Sequence, residues 1–229
     1  MLAKLVGFLF VLLLVAGVPT LSYVTARRPE IPLLPRLDLY LSAALSQWLL
    51  AALGVLVMVT TGPGFRASGF RAVAAEPFVS WVLILALVSL AALGLVVFLE
   101  RFGWFPEEPE LVRRLMPETR REKLLAVLLL APTAALCEEF IYRGYLLHQL
   151  SLWLDPVPWA WVGSSVAFGM AHAYQGFNGM ARAALLGGLL ALPVIRLESL
   201  YPSMAAHFLI DAVALVWLGP RFLRSEPEA

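Results

Sequence analysis

Residues 135–144, ALCEEFIYRG, set two glutamates and an arginine inside one of the most apolar regions of the chain. The surroundings say what kind of helix this is. Of the 229 residues 61% are hydrophobic and 14% charged, with a mean hydropathy of +0.82, against roughly 25% charged in a soluble domain. The apolar residues recur from end to end, which points to one integral membrane bundle rather than a soluble domain with an anchor. A charged side chain near the centre of a membrane helix costs about 2.5–3.5 kcal/mol, so Glu138, Glu139 and Arg143 mark a functional site by default.

A spanning helix needs about 20 mostly apolar residues. On that measure segments near 5–24, 38–61, 78–99, 123–150, 157–175, 180–197 and 200–218 qualify, giving an all-α polytopic transmembrane helix bundle of about seven spans, within six to eight. The 180–197 segment, with Gly187, Gly188 and Pro193 inside it, is the one expected to be bent or not to cross fully. The first segment has signal-peptide features but is long and runs directly into Arg27 and Arg28, so an uncleaved span is expected. With the N-terminus outside, twelve Lys and Arg fall on the cytoplasmic face and four (Lys4, Arg66, Arg71 and Arg196) on the other, which satisfies the positive-inside rule. The plasma (inner) membrane, with a cytoplasmic C-terminus, is the location expected. Trp153, Trp159 and Trp161 would then anchor two helices at the outer interface.

The polar insertion ERFGWFPEEPELVRRLMPETRRE, 100–122, reads either as a short amphipathic helix on the cytoplasmic surface or as a solvated loop. Three regions follow: 1–122, N-terminal transmembrane helices and the cytoplasmic amphipathic loop; 123–218, a core carrying the intramembrane charges; and 219–229, a flexible cytoplasmic tail. A formal net charge of +1 gives no nucleic-acid surface. The single cysteine, Cys137, excludes an internal disulfide and reads as a small apolar residue.

Helical spacing divides the work between the two glutamates. Glu139 and Arg143 are i,i+4 and can pair on one face, whereas Glu138 is turned about 100° away and needs a partner from another helix. Phe168 and His172 repeat the i,i+4 spacing, as do His207 and Asp211. Three helices can thus offer Glu138, His172, His207 and Asp211 to one buried pocket, and the small residues of GSSVAFGMAH, 163–172, and SMAAH, 203–207, let them approach. His148 falls near a helix end, the ordinary place for an interfacial histidine.

A carboxylate and an imidazole on one water can act as general base and acid for peptide hydrolysis, with a second His and an Asp or Asn at the oxyanion. The same side chains are also the donor types of an open zinc site, although the HExxH spacing is absent. Ser164 or Ser165 with His172 would be a serine-protease alternative, on a weak signal. A proton-coupled transporter or binding protein could keep Glu and His in the membrane too, and interhelical glue is the bland reading.

The order EExxxR (Glu138, Glu139, Arg143), FxxxH (Phe168 to His172) and HxxxD (His207 to Asp211), with RLESLYPSMAAHFLID at 196–211, resembles the CAAX prenyl endopeptidase and bacteriocin-processing (abortive-infection) family of intramembrane proteases. The resemblance covers roughly residues 120–218. It implies that Glu138 activates water with His172, that His207 and residue 211 support the oxyanion, and that Glu139, Arg143 and Phe168 shape the site. It implies an intramembrane endopeptidase of glutamic type without a cofactor. Zinc on Glu138, His172, His207 and Asp211 is the metal-dependent alternative, and a non-proteolytic immunity or scaffold role the other. Asp211 departs from the Asn of prenyl endopeptidases; an ionised Asp cannot donate to an oxyanion, so it must be protonated, orient His207 or ligate a metal. The implied partners are the lipid bilayer and a peptide or protein substrate, lipidated or not, with no nucleic acid.

Overall fold

The computed structural model describes residues 2–61, 64–100, 102 and 109–218; the tail 219–229, with Arg221 and Arg224, and Arg101 and 103–108 of the insertion lie outside the described residues. Helices make up nearly all of it, and there is no strand among the described residues. We number them α1 (Leu2–Ala26), α2 (Arg36–Thr61), α3 (Ala75–Glu100), α4 (Glu110–Leu115), α5 (Arg120–Trp153), α6 (Val157–Ala171), α7 (Gly176–Leu197) and α8, Tyr201–Val213 with a π turn at Ala214–Leu218. Five of them, α1, α2, α3, α5 and α7, are long and apolar enough to cross a membrane. The protein is a multi-pass membrane protein, and large apolar side chains such as Leu83, Leu87 and Leu128 face outward from it.

The lengths correct one expectation. The helix over 180–197 begins earlier, at Gly176, and has 22 residues; the short passage is α6, with 15, about 22 Å at 1.5 Å per residue. Two local features stop α6 before residue 175. The His172 ring nitrogen Nδ1 donates to the Phe168 carbonyl at 2.8 Å, and Gly176 takes φ +71°, a conformation that favours glycine. A 3₁₀ turn, Ala173–Gln175, joins the two helices.

Two of the π turns follow from proline. Pro19 has no N–H to give the Val15 carbonyl, and Pro132 none to give that of Leu128; the backbone widens to π at Leu13–Gly17 and at Ala126–Leu130 just before them. A third π stretch, Glu139–Leu146, contains no proline and begins at the second glutamate of the opening motif. α5 itself starts from a capping box: Glu122 N–H donates to Thr119 Oγ1 at 3.2 Å and Thr119 N–H to Glu122 Oε2 at 2.9 Å. The polar insertion thus contains a short helix, α4, from which Arg114 and Leu115 reach back to α2 through their carbonyls: Arg36 Nε donates to the first at 3.0 Å and Tyr40 Oη to the second at 3.0 Å.

α5 runs through the middle of the bundle. α2 packs along it on one side and α8 on another, while α6 and α7 form a tight antiparallel pair. Gly169 permits that pairing, because a Cβ there would meet the Met180 carbonyl oxygen at 2.6 Å and Ala184 Cβ at 2.7 Å. The apolar core gathers Phe10 and Leu14 of α1, Met58 of α2, Phe140, Ile141 and Tyr145 of α5 and Phe168 of α6. Cys137 is buried in that core.

Candidate active site

Phe168 is the packing centre on which the polar groups are arranged. It is 1% exposed, and the Arg143 guanidinium lies over its ring, 4.0 Å from the centroid. The rings of Tyr142, His172 and His207 stand edge-on to it at 5.2, 4.6 and 6.3 Å between centroids. Gly187 of α7 leaves the necessary space: a Cβ there would meet Phe168 Cδ1 at 3.0 Å and Arg143 Nη2 at 3.1 Å.

Glu139 and Arg143 do form the buried pair that their spacing suggests, Oε1 to Nη1 at 3.1 Å with neither side chain more than 1% exposed. Arg143 Nε also donates to the Gly187 carbonyl at 3.4 Å. The carboxylate has a second function: His207 Nδ1 donates to Glu139 Oε1 at 2.8 Å. A carbonyl or carboxylate oxygen can only accept from these rings, so Nδ1 carries the proton in both histidines. Each therefore turns Nε2 toward Glu138, whose Oε2 lies 4.0 Å from that of His172 and 3.9 Å from that of His207. Asp211 Oδ2 is 3.5 Å from His207 Nε2. The structure thus brings Glu138, His172, His207 and Asp211 from α5, the end of α6 and α8 to one place, with Glu139, Arg143 and Phe168 behind them. Glu138 and His172 keep 14% and 15% side-chain exposure and Asp211 27%, so this edge of the cluster is partly exposed while the Glu139–Arg143 pair is sealed.

One member of the cluster escapes sequence reasoning. Gln47 of α2 donates from Nε2 to Glu138 Oε1 at 3.0 Å, so the carboxylate that lacks a partner on its own helix is held by the N-terminal part of the chain. Beside it Trp48 Nε1 donates to Thr133 Oγ1 at 3.1 Å. An amide in the middle of the apolar run ALSQWLLAALG, 44–54, was the available signal. The serine reading loses its geometry: Ser164 Oγ donates to the Tyr142 carbonyl and Ser165 Oγ to that of Trp161, each at 2.7 Å. His148 stands apart from the cluster, half-buried near the far end of α5.

The donor types suit zinc, and both ring Nδ1 groups are anchored as in metal-ligating histidines. Even so, among the described residues no group of three or more His, Cys, Asp or Glu side chains is arranged to hold a metal ion, so the donor set as it stands is not a closed metal site.

The family model of the type II CAAX prenyl endopeptidases, Rce1-like, matches residues 120–213. That stretch begins at the capped start of α5 and ends two residues after Asp211. Residues 120–213 are similar to this family. No curated protein and no solved structure matches the chain. The Rce1-like segment contains Glu138, Glu139, Arg143, His172, His207 and Asp211, and excludes Gln47. The similarity of this segment is to CAAX-type endopeptidases, and the five long apolar helices make the whole a multi-pass membrane protein.

Proposed function

We propose that the chain is an intramembrane endopeptidase of glutamic type, which hydrolyses a peptide bond of a membrane-associated or prenylated protein with water activated by Glu138 and His172. One observation carries the reading: Glu138 Oε2 stands 4.0 Å from Nε2 of His172, whose Nδ1 is held by the Phe168 carbonyl. A water hydrogen-bonded to both at about 2.8 Å fits between them. Glu138 takes a proton from that water as its oxygen attacks the scissile carbonyl carbon, and returns it to the leaving amine when the C–N bond breaks. His172 orients the water and accepts its second hydrogen bond.

His207 can stabilise the oxyanion when Nε2 carries a proton. The carboxylates of Glu139 at 2.8 Å and Asp211 at 3.5 Å would then balance its charge. In this reading Asp211 acts on His207, which is the second of the roles open to an aspartate at a position where prenyl endopeptidases carry Asn. Gln47 fixes the other oxygen of Glu138, so that Oε2 faces the histidines.

The test is cleavage of a prenylated CAAX reporter and of membrane-anchored peptides in liposomes by wild type, Glu138→Gln and His172→Ala, each with and without a chelator. Loss of cleavage in both variants with no effect of chelation is the expected result. Chelator-sensitive cleavage restored by zinc would overturn the glutamic mechanism in favour of the metal-dependent one. A folded wild type that cleaves no reporter would count against proteolysis altogether and favour a transport or scaffold role.

A further inference from the structure

A second polar feature, unused by the cluster around Glu138, lies between the end of α1 and α4. A cavity of about 520 Å³ is lined by Arg27, Arg28 and Arg114, with Glu110, Pro32 and Leu33. The volume is in the range of small-ligand clefts, about 300–1,000 Å³. Among the described residues of the lining, three guanidinium groups stand against one carboxylate. Arg114 Nε is buried and has no hydrogen-bond acceptor among the described residues, and Arg27 rests over the Tyr23 ring, 4.3 Å from its centroid. Neighbouring Arg36, by contrast, is already paired with Glu118 and Glu122.

The cavity stands on the His172 side of the bundle, a short distance from the reactive edge. Tyr174, two residues past His172, donates its N–H to Ser22 Oγ at 3.1 Å, and Ser22 precedes Ala26 by one turn, about 6 Å. α2 gives an independent measure. Tyr40, bonded to the Leu115 carbonyl, and Arg36, bonded to that of Arg114, precede Gln47 by seven and eleven residues, so α4 sits about 10–16 Å along the axis from the residue that holds Glu138. An extended chain covers roughly 3.3–3.6 Å per residue. The separation therefore fits a peptide end of about three to five residues.

Resting on the protease reading above, we propose that this cavity receives the C-terminal α-carboxylate of the substrate, which sets the scissile bond at a fixed short distance from the chain end. A carboxylate is the anion that an arginine fork binds in bidentate fashion, a single charge suits a pocket that also contains Glu110, and Leu33 and Pro32 offer apolar surface to the last side chains. The spacing would bring the cysteine of a C-terminal CAAX sequence, fourth from the chain end, to the level of Glu138. The pocket acts as a ruler: it recognises an end rather than a sequence.

The experiment compares two farnesylated peptides of one sequence, ending in a free acid or in an amide, in phosphatidylcholine proteoliposomes. Wild type should prefer the acid by about tenfold in kcat/KM, mainly through KM, the effect of one charge-assisted contact. In Arg114→Gln the preference should fall to within about twofold, and Arg114→Lys should retain part of it; a ratio is unmoved by a general loss of folded protein. Equal cleavage of both peptides by wild type, or a preference that survives in Arg114→Gln and Arg28→Gln, overturns the proposal while leaving the protease reading intact. If wild type cleaves neither peptide, the protease reading fails on its own, and binding of the two lipopeptides to Glu138→Gln decides the pocket: acid-selective binding lost on adding Arg114→Gln upholds it, and unselective binding overturns it. Variants that alter phosphatidylglycerol binding but not the acid-to-amide ratio would assign the arginines to lipid headgroups and also overturn it.

Discussion

Glu138 is held from one side and open on the other, and that asymmetry makes its neighbours testable one at a time. Replacing Gln47 by Leu removes the 3.0 Å bond to Oε1 without touching the histidines, and should lower kcat by about tenfold, the kinetic equivalent of one hydrogen bond to a charged group. Glu138→Gln should abolish turnover. Unchanged kcat in Gln47→Leu would mean that the carboxylate orients itself. The Glu139–Arg143 pair predicts a different kind of loss. Glu139→Gln leaves a guanidinium uncompensated in a sealed site and should cost about 3–5 kcal/mol, whereas Glu139→Gln with Arg143→Met should recover much of it; thermal unfolding in detergent measures both, and a double variant no more stable than the single would show that the pair holds the fold by more than charge. Sequence alone exposed Glu138, Glu139, Arg143, His172, His207 and Asp211 because ionisable groups in a membrane are expensive. It did not expose Gln47, whose neutral amide costs less and resembles ordinary interhelical glue.

At the scale of elements, the site depends on close approach of α6 and α7 and on the early end of α6. Gly187→Ala puts a methyl 3.0 Å from Phe168 and 3.1 Å from Arg143, and the Phe168 ring carries His172 at 4.6 Å. The substitution should destabilise by about 1–3 kcal/mol and reduce activity more than Gly94→Ala, where the added Cβ meets nothing within 4 Å; matched melting temperatures and rates for the two variants would contradict this account. Hydropathy located every one of these helices but misjudged which was short, because chain composition does not register a side chain that folds back to its own helix, as His172 does on Phe168. The π stretch over Glu139–Leu146 was invisible for a related reason. It contains no proline to mark it, unlike the π turns just before Pro19 and Pro132.

The whole molecule joins long and short passages. α6 has 15 residues and α8 with its π turn is only slightly longer, so the helices that carry His172, His207 and Asp211 fall short of, or barely match, the roughly 30 Å of an average hydrocarbon core, while α5 runs well past it. A bilayer meets that mismatch by local thinning at a modest cost per ångström. Cleavage in liposomes of shorter-chain phosphatidylcholine should exceed that in longer-chain liposomes, with an optimum below the average thickness; a rate independent of chain length would show that the short helices are shielded from lipid by their neighbours. The contact between Gln47 and Glu138 has a further consequence at this scale. The segment that carries the recognisable motifs and the helix that restrains its key carboxylate lie apart in the chain, so the motifs can be retained while the restraint is exchanged for another side chain or lost. A protein that keeps every acid and histidine of 120–213 need not be a competent catalyst, and grafting that segment onto a foreign set of N-terminal helices should transfer the signature without the reaction unless an amide is supplied at the level of Gln47.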